Sequence, residues 1–318
     1  MSSTRLRFSP EGRFRIVQFT DTHFEEGEAE AEKRASTLAT IVSVLDAERP
    51  DLVVFTGDVA LSKPMSGALD ALMAPVIERG IPWAAVLGNH DHEFNDCTRP
   101  EIVAYMAGQP FSLTHPGPAE LGSGGNYSLS DQSAHSPTPA AVLYFLDSGA
   151  YTSDRQRFGY YAWMPPSRIE WYRNQSRRLT AENQGTPLPA LAFFHIPLPE
   201  YREAGESPSL VGQKREGICA PDLNSGLFTA FLEGGDVMGT FVGHDHDNDF
   251  AATVRGICLA YGRKTGTFSY LNHLQSGARI IELTEGQRTF TSWIRTHDGQ
   301  VLDRAVHPQP PPSAAPDA

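Results

Sequence analysis

Eight side chains are of kinds that bind ions or move protons, and they fall in short polar clusters: Asp21 with His23, Asp58, Asn89 with His90, His195, and His244 with His246. Two carboxylates, one amide and four imidazoles make seven oxygen and nitrogen donors with no thiolate among them, His90 being set apart. Such a set suits manganese, iron or zinc and argues against a structural zinc knot or an iron–sulfur cluster. Seven donors are too many for one tetrahedral ion and about right for two. Two ions roughly 3.5–4 Å apart are a general device for in-line displacement at phosphorus. Taken singly, Asp21, Asp58 and Asn89 would read as helix N-caps after a βα turn, and His195 as a hydrogen-bonded core histidine. The combination is what points to metal.

Each cluster ends a short apolar run. Residues 14–19 (FRIVQF), 52–55 (LVVF), 83–87 (WAAVL), 191–194 (LAFF) and 237–242 (VMGTFV) run directly into them. Runs of four to six aromatic and β-branched residues suit buried strands, and the C-terminal edge of an open α/β sheet is where ligands bind. Between the first three runs, residues 29–48 carry Leu38, Ile41, Val42 and Leu45 at helical spacing. Residues 67–79 carry Leu69, Leu72, Met73, Val76 and Ile77 and stop at Gly80, a good C-terminal cap. Strand–helix alternation at this spacing predicts a parallel sheet with helices on its faces. A further helix is predicted at 166–180, and Asp147 reads as a strand end. Strands at 256–259, 279–283 and 289–294 are read as a second sheet packed on the first. The fold class is therefore α/β, a two-sheet β-sandwich flanked by helices, in one domain over residues 10–305. The Pro/Ala-rich tail, 306–318, is expected to be disordered.

In chain order the clusters read Asp21-Thr22-His23, Gly57-Asp58, Gly88-Asn89-His90-Asp91, His195 and Gly243-His244-Asp245-His246. This ordered set resembles the calcineurin-like metallophosphoesterase superfamily. The stretch GHDHDNDF at 243–250 is similar to its purple acid phosphatase-like branch, as are LDS at 146–148, HIPLPE at 195–200, KREG at 214–217 and YGRKTG at 261–266. The resemblance implies the calcineurin-like fold and two divalent or transition metal ions (Mn, Fe or Zn) as cofactors. Asp21, His23 and His246 would hold the first ion, Asn89, His195 and His244 the second, and Asp58 would bridge both. His90 would face the substrate and donate to a phosphoryl oxygen or to the leaving alkoxide, with Asp91 orienting it. The implied activity is hydrolysis of phosphomonoesters by metal-activated hydroxide. The alternatives are a phosphodiesterase acting on cyclic nucleotides or other diesters, and a scaffold that keeps the fold without the chemistry. One position departs from the purple enzymes, which carry a metal-binding Tyr three residues after the GD aspartate. Leu61 stands there, so no tyrosinate-to-iron colour is expected. Arg215, Lys214, Arg263 and Lys264 are candidate phosphate contacts, and loops at 94–125, 151–163 and 200–221 are expected to cap the site.

Composition narrows the partners. The 318 residues carry 26 Lys+Arg against 38 Asp+Glu, a formal net charge of −12, and 40% are hydrophobic. That is ordinary globular composition, which excludes wholesale disorder. The acidic balance disfavours nucleic acid, and no apolar run reaches the ~20 residues of a membrane span. A small phosphorylated substrate remains the expected partner. Arg5, Arg7, Glu11, Arg13 and Arg15 leave no room for an apolar signal core, so a cytoplasmic location is expected. Cys97, Cys219 and Cys258 are too scattered for a disulfide framework and read as reduced thiols.

Overall fold

The computed structural model describes residues 5–93, 96–122 and 124–309. Its strands are β1 (Arg13–Phe19), β2 (Leu52–Thr56), β3 (Trp83–Val86), β4 (Tyr127–Gln132), β5 (Pro139–Phe145), β6 (Ala190–Phe193), β7 (Val237–Val242), β8 (Ala251–Val254), β9 (Ile257–Tyr261), β10 (Gly277–Thr284), β11 (Phe290–Thr296) and β12 (Val301–His307). They form two six-stranded sheets, ordered β12-β11-β10-β1-β2-β3 and β4-β5-β6-β7-β9-β8. Each has a parallel core, β1-β2-β3 in one and β5-β6-β7-β9 in the other. The predicted α/β sandwich is therefore the observed fold, with one correction. The late strands at 279–283 and 289–294 do not build the second sheet. They return as β10 and β11 to pair antiparallel beside β1, completing the first sheet. The second sheet comes from the middle of the chain, and only β9 of the three late strands belongs to it.

Strand alternation explains the layering. In β1 and β2, Val17, Phe19, Val53 and Phe55 pack on Ile41, Val44 and Leu45 of the helix Ala31–Glu48 and on Leu69, Leu72 and Val76 of the helix Met65–Glu78. Their neighbours Phe14, Ile16, Leu52 and Val54 face the other sheet and meet Leu143, Phe145, Leu191, Phe193 and Phe241. On the far side, Tyr144, Ala192 and Val242 pack on Ile169, Tyr172 and Leu179 of Pro166–Glu182 and on Phe228 and Phe231 of Leu227–Gly234. Helix, sheet, sheet and helix are thus four layers around three apolar seams. No helix among the described residues is long and apolar enough to cross a membrane.

The chain's ends join the fold more fully than the 10–305 boundaries suggest. Leu6 and Phe8 are buried against the inter-sheet seam. Val306 and His307 pair with Thr291 and Phe290 in β11, which places the start of the expected tail inside a strand. The rest of that tail, 310–318, lies outside the described residues. His307 is fully buried, with both ring nitrogens lacking a partner. Burial first, and the Arg279 guanidinium second, push its imidazole down to about 4. The unfolded chain therefore binds more protons between pH 6.5 and 4, so stability is full above that window and falls as pH drops through it. Thermal unfolding followed at pH 7 and pH 5 should show a lower midpoint at pH 5, and His307→Phe should narrow the difference.

Candidate metal centre

The two parallel cores end at one common edge. Asp21 and His23 follow β1, Asp58 follows β2, and Asn89 and His90 follow β3. His195 follows β6, and His244 and His246 follow β7. Donors from both sheets therefore meet across the mouth of the sandwich. Four of them sit in left-handed backbone, Asp21 at φ 52°, His23 at 43°, Asp58 at 49° and His244 at 80°. Such a conformation costs a non-glycine residue on the order of 1–3 kcal/mol and persists where surroundings fix it. Here they do. Asp21 and His23 donate backbone N–H bonds to Gly57 and Asp58 carbonyls at 3.1 and 2.9 Å. The His244 N–H reaches the Asp21 carboxylate at 3.0 Å, and the His90 N–H reaches Asp58 Oδ1 at 2.8 Å. Gly88 permits a close approach, since a Cβ there would overlap Asp58 Oδ1.

Two donor groups result. Asp21, His23 and His246 form one, and Asp58, His195 and His244 the other, each within 4.8 Å and all buried. They touch each other: Asp58 Oδ2 lies 3.2 Å from His195 Nε2 and 3.7 Å from His23 Nε2. His23 Nε2 faces His246 Nε2 at 3.1 Å, and His195 Nε2 faces His244 Nδ1 at 3.3 Å. Two of the four far nitrogens are committed elsewhere, while His23 Nδ1 and His244 Nε2 are buried without a partner. His195 Nδ1 donates to the Thr56 carbonyl at 2.7 Å and His246 Nδ1 to the Tyr270 carbonyl at 3.0 Å. That leaves Nε2 of each of these two rings turned to the cluster, the usual support of a ligating histidine. Asn89 precedes His90, whose N–H holds Asp58. Asn89 Nδ2 donates to the Tyr151 hydroxyl at 2.9 Å, while Asn89 Oδ1 is buried with no partner. Four imidazoles crowded on two buried carboxylates, with two ring nitrogens and an amide oxygen left without partners, are costly to bury without a cation. The residues thus fit two metal ions.

The electrostatics agree. Burial alone would raise Asp58, but His195, His23 and His90 outweigh it and hold the carboxyl well below the usual range. Asp21 is likewise lowered, with His246 and His195 overcoming its burial. Burial drives His23 well below its ordinary value and His244 down to about 3, so both are neutral. His195 alone goes the other way. Burial opposes its charge, yet Asp58 and Asp21 push it up to about 9, making it the proton that an entering cation displaces.

Two readings of the sequence need correction, those of Asp91 and Arg263. Asp91 does not orient the His90 ring. Its carboxylate accepts backbone N–H bonds from Asp58, Val59, Ala60 and Gly88 at 2.7–3.3 Å, knitting the β2 and β3 turns together. The His90 ring meets Glu93 instead. Arg263 is buried and clamped to Asp249 and the Gln275 carbonyl, so it faces no ligand. Lys214 pairs with Glu206. Arg215 is exposed, and its backbone N–H is held by Asn248 Oδ1 at 2.9 Å. Of the expected capping loops, 151–163 does reach the site, whereas Phe94, Asn95 and Ser123 of 94–125 lie outside the described residues.

Sequence reasoning does not single out several residues that build the site. The rings of Tyr161 and Tyr270 pack on His244 and His246, with centroids 4.6 and 4.1 Å apart. Lys264, by contrast, is one of the candidate phosphate contacts; it is buried and donates to the Asp21 carbonyl at 2.7 Å, and its burial pulls the ammonium down to about 8. Glu93 carries a usable local signal, three residues after His90. The tyrosines carry none.

The Calcineurin-like phosphoesterase family model matches residues 14–248. A protein named Probable inactive purple acid phosphatase 14 from Arabidopsis thaliana is 36% identical, over 92% of this chain and 79% of its own length. A protein named Phosphatase DCR2 from Saccharomyces cerevisiae is 34% identical over 92% of this chain, which spans 55% of the yeast protein. A crystal structure of a dimetal phosphatase from Danio rerio shares the fold with a TM-score of 0.60 at 15% identity, covering 92% of this chain and 98% of that one. The chain belongs to the calcineurin-like phosphoesterase family.

Proposed function

We propose that this protein is a dinuclear metal-dependent phosphoesterase that hydrolyses phosphomonoesters. The observation that carries the reading is the pair of touching donor groups around Asp58, with a buried, partnerless Asn89 Oδ1 nearby in the β3 turn. Asp21, His23 and His246 would hold the first ion, Asn89, His195 and His244 the second, and Asp58 both. Manganese, iron and zinc all suit the donors. Bound there, the ions supply Lewis acidity and a nucleophile drawn from water at neutral pH.

The chain's own groups do the rest. Asp58 and Asp21 offset the ions' charge. Asn89 contributes a neutral oxygen, which leaves the second position more electrophilic than a carboxylate would. His90 lies beside the cluster, its ring 5.5 Å from that of His23, and is one-third exposed. It is placed to donate a proton to the leaving oxygen or a hydrogen bond to the phosphoryl group. The Arabidopsis relative's name calls that protein inactive, while this chain has a donor at all seven positions. Leu61 in place of a tyrosine removes a colour, since the six other side-chain donors and Asp58 do not depend on it.

The test is a substrate panel on protein loaded with Mn²⁺: an aryl phosphate, a bis-aryl phosphate and a 3′,5′-cyclic nucleotide. The monoester should give the highest kcat/KM. Preference for either diester would replace this reading with a phosphodiesterase. No hydrolysis of any of them, with no metal retained, would support a scaffold.

A further inference from the structure

The Tyr151 hydroxyl stands between Asn89 and His90. It accepts from Asn89 Nδ2 at 2.9 Å and donates to Glu93 Oε2 at 3.3 Å, and it lies 3.5 Å from His90 Nδ1. Glu93 Oε2 in turn takes the His90 Nδ1 contact. Four residues thus form one chain, from amide to phenol to carboxylate to imidazole. Every link has a direction. The amide puts its N–H toward the phenol, which leaves Oδ1 buried with no partner and available to an ion. The carboxylate accepts from the ring at Nδ1, which sets the ring's orientation.

Tyr151 is anchored for this task. It bridges to Tyr161 across a short antiparallel turn, and the Tyr161 ring packs on His244. Arg155 lies over the faces of Tyr160 and Tyr151, with its guanidinium carbon 4.0 and 5.5 Å from the ring centroids. The loop is therefore stacked in place from outside while it touches the donor groups inside.

We propose that Tyr151 and Glu93 are positioning residues: Tyr151 sets the amide of Asn89 for the second ion, and Glu93 holds the His90 imidazole for proton donation. The Glu93 half rests on the phosphoesterase reading; the Tyr151 half needs only that the site binds metal.

Two conservative variants separate the roles. Mn²⁺ titration followed by electron paramagnetic resonance should show the second ion binding roughly tenfold more weakly in Tyr151→Phe, with the first unchanged. In Glu93→Gln both ions should bind as in the wild type. There, hydrolysis of an alkyl phosphate should fall about 10- to 100-fold, and that of 4-nitrophenyl phosphate by only a few-fold, because a good leaving group needs little protonation. A merely structural role would lower both substrates equally. Equal second-ion affinity in Tyr151→Phe and wild type overturns the first assignment, and equal losses on the two esters overturn the second. A wild type that binds two Mn²⁺ but cleaves neither ester sinks the phosphoesterase reading and the Glu93 role with it, while the binding curves still decide Tyr151.

Discussion

Asp58→Asn should cost the protein at least one of its two ions and about a thousandfold in turnover, the several kcal/mol of transition-state stabilisation that a metal pair provides. The substitution changes almost no volume, so the fold should persist. What changes is charge and donor type at the point where the two groups touch. Asp58 Oδ2 sits 3.2 Å from His195 Nε2 and 3.7 Å from His23 Nε2, and Oδ1 holds the His90 N–H. An amide either turns its NH₂ toward those imidazoles, where a cation is wanted, or toward the His90 N–H, where an acceptor is wanted. It also withdraws one of the two negative charges, with Asp21, that offset the ions. Elemental analysis of protein purified without chelator, beside the rate on an aryl phosphate, checks both parts. Two ions per chain with more than a tenth of wild-type turnover would show that Asp58 is not the bridge. His195→Ala should follow Asp58→Asn in metal content, since it takes an inward nitrogen from the second group.

His90→Ala should behave in the opposite sense, with metal content near wild type and turnover lower by about 10²–10⁴-fold, the usual worth of a positioned proton donor. The reason is where each part of His90 acts. Its backbone N–H, which the variant keeps, supports Asp58. Its ring stands beside the cluster, and neither donor group includes it. Loss of metal in this variant would move His90 into the ligand set. Turnover within a few-fold of wild type would remove it from the chemistry.

The strands that carry the site are legible in the residue pattern. Residues 237–242 read as a strand and are β7, and 52–55 and 83–87 fall within a residue of β2 and β3. Apolar runs that stop abruptly at Asp, Asn or His mark strand ends because a buried strand cannot carry such groups unpaired. The helix Arg99–Ala107 is not among the expected elements, although its Thr98-to-Glu101 capping box and Pro100 are plain local signals. β12 is hidden for a different cause. It is an edge strand with a largely exposed face, and its polar residues look like the tail that follows.

Residue types and order along the chain determined which side chains could hold the ions and that strand ends would present them. Tertiary packing alone decided what supports them. Asp91 follows His90 in sequence, yet its carboxylate turns back to four backbone N–H groups, because the β2 and β3 turns lie side by side and leave those donors otherwise unmet. Glu93 and Tyr151 take the places beside His90 and Asn89 because a folded turn and a loop 61 residues away come within hydrogen-bond reach. Arg263, by contrast, is drawn inward to pair with buried Asp249. Local pattern sets the direction a side chain leaves the backbone, but its partner is set by which distant segments the apolar seams press together, and hydrogen bonds reach only about 3 Å.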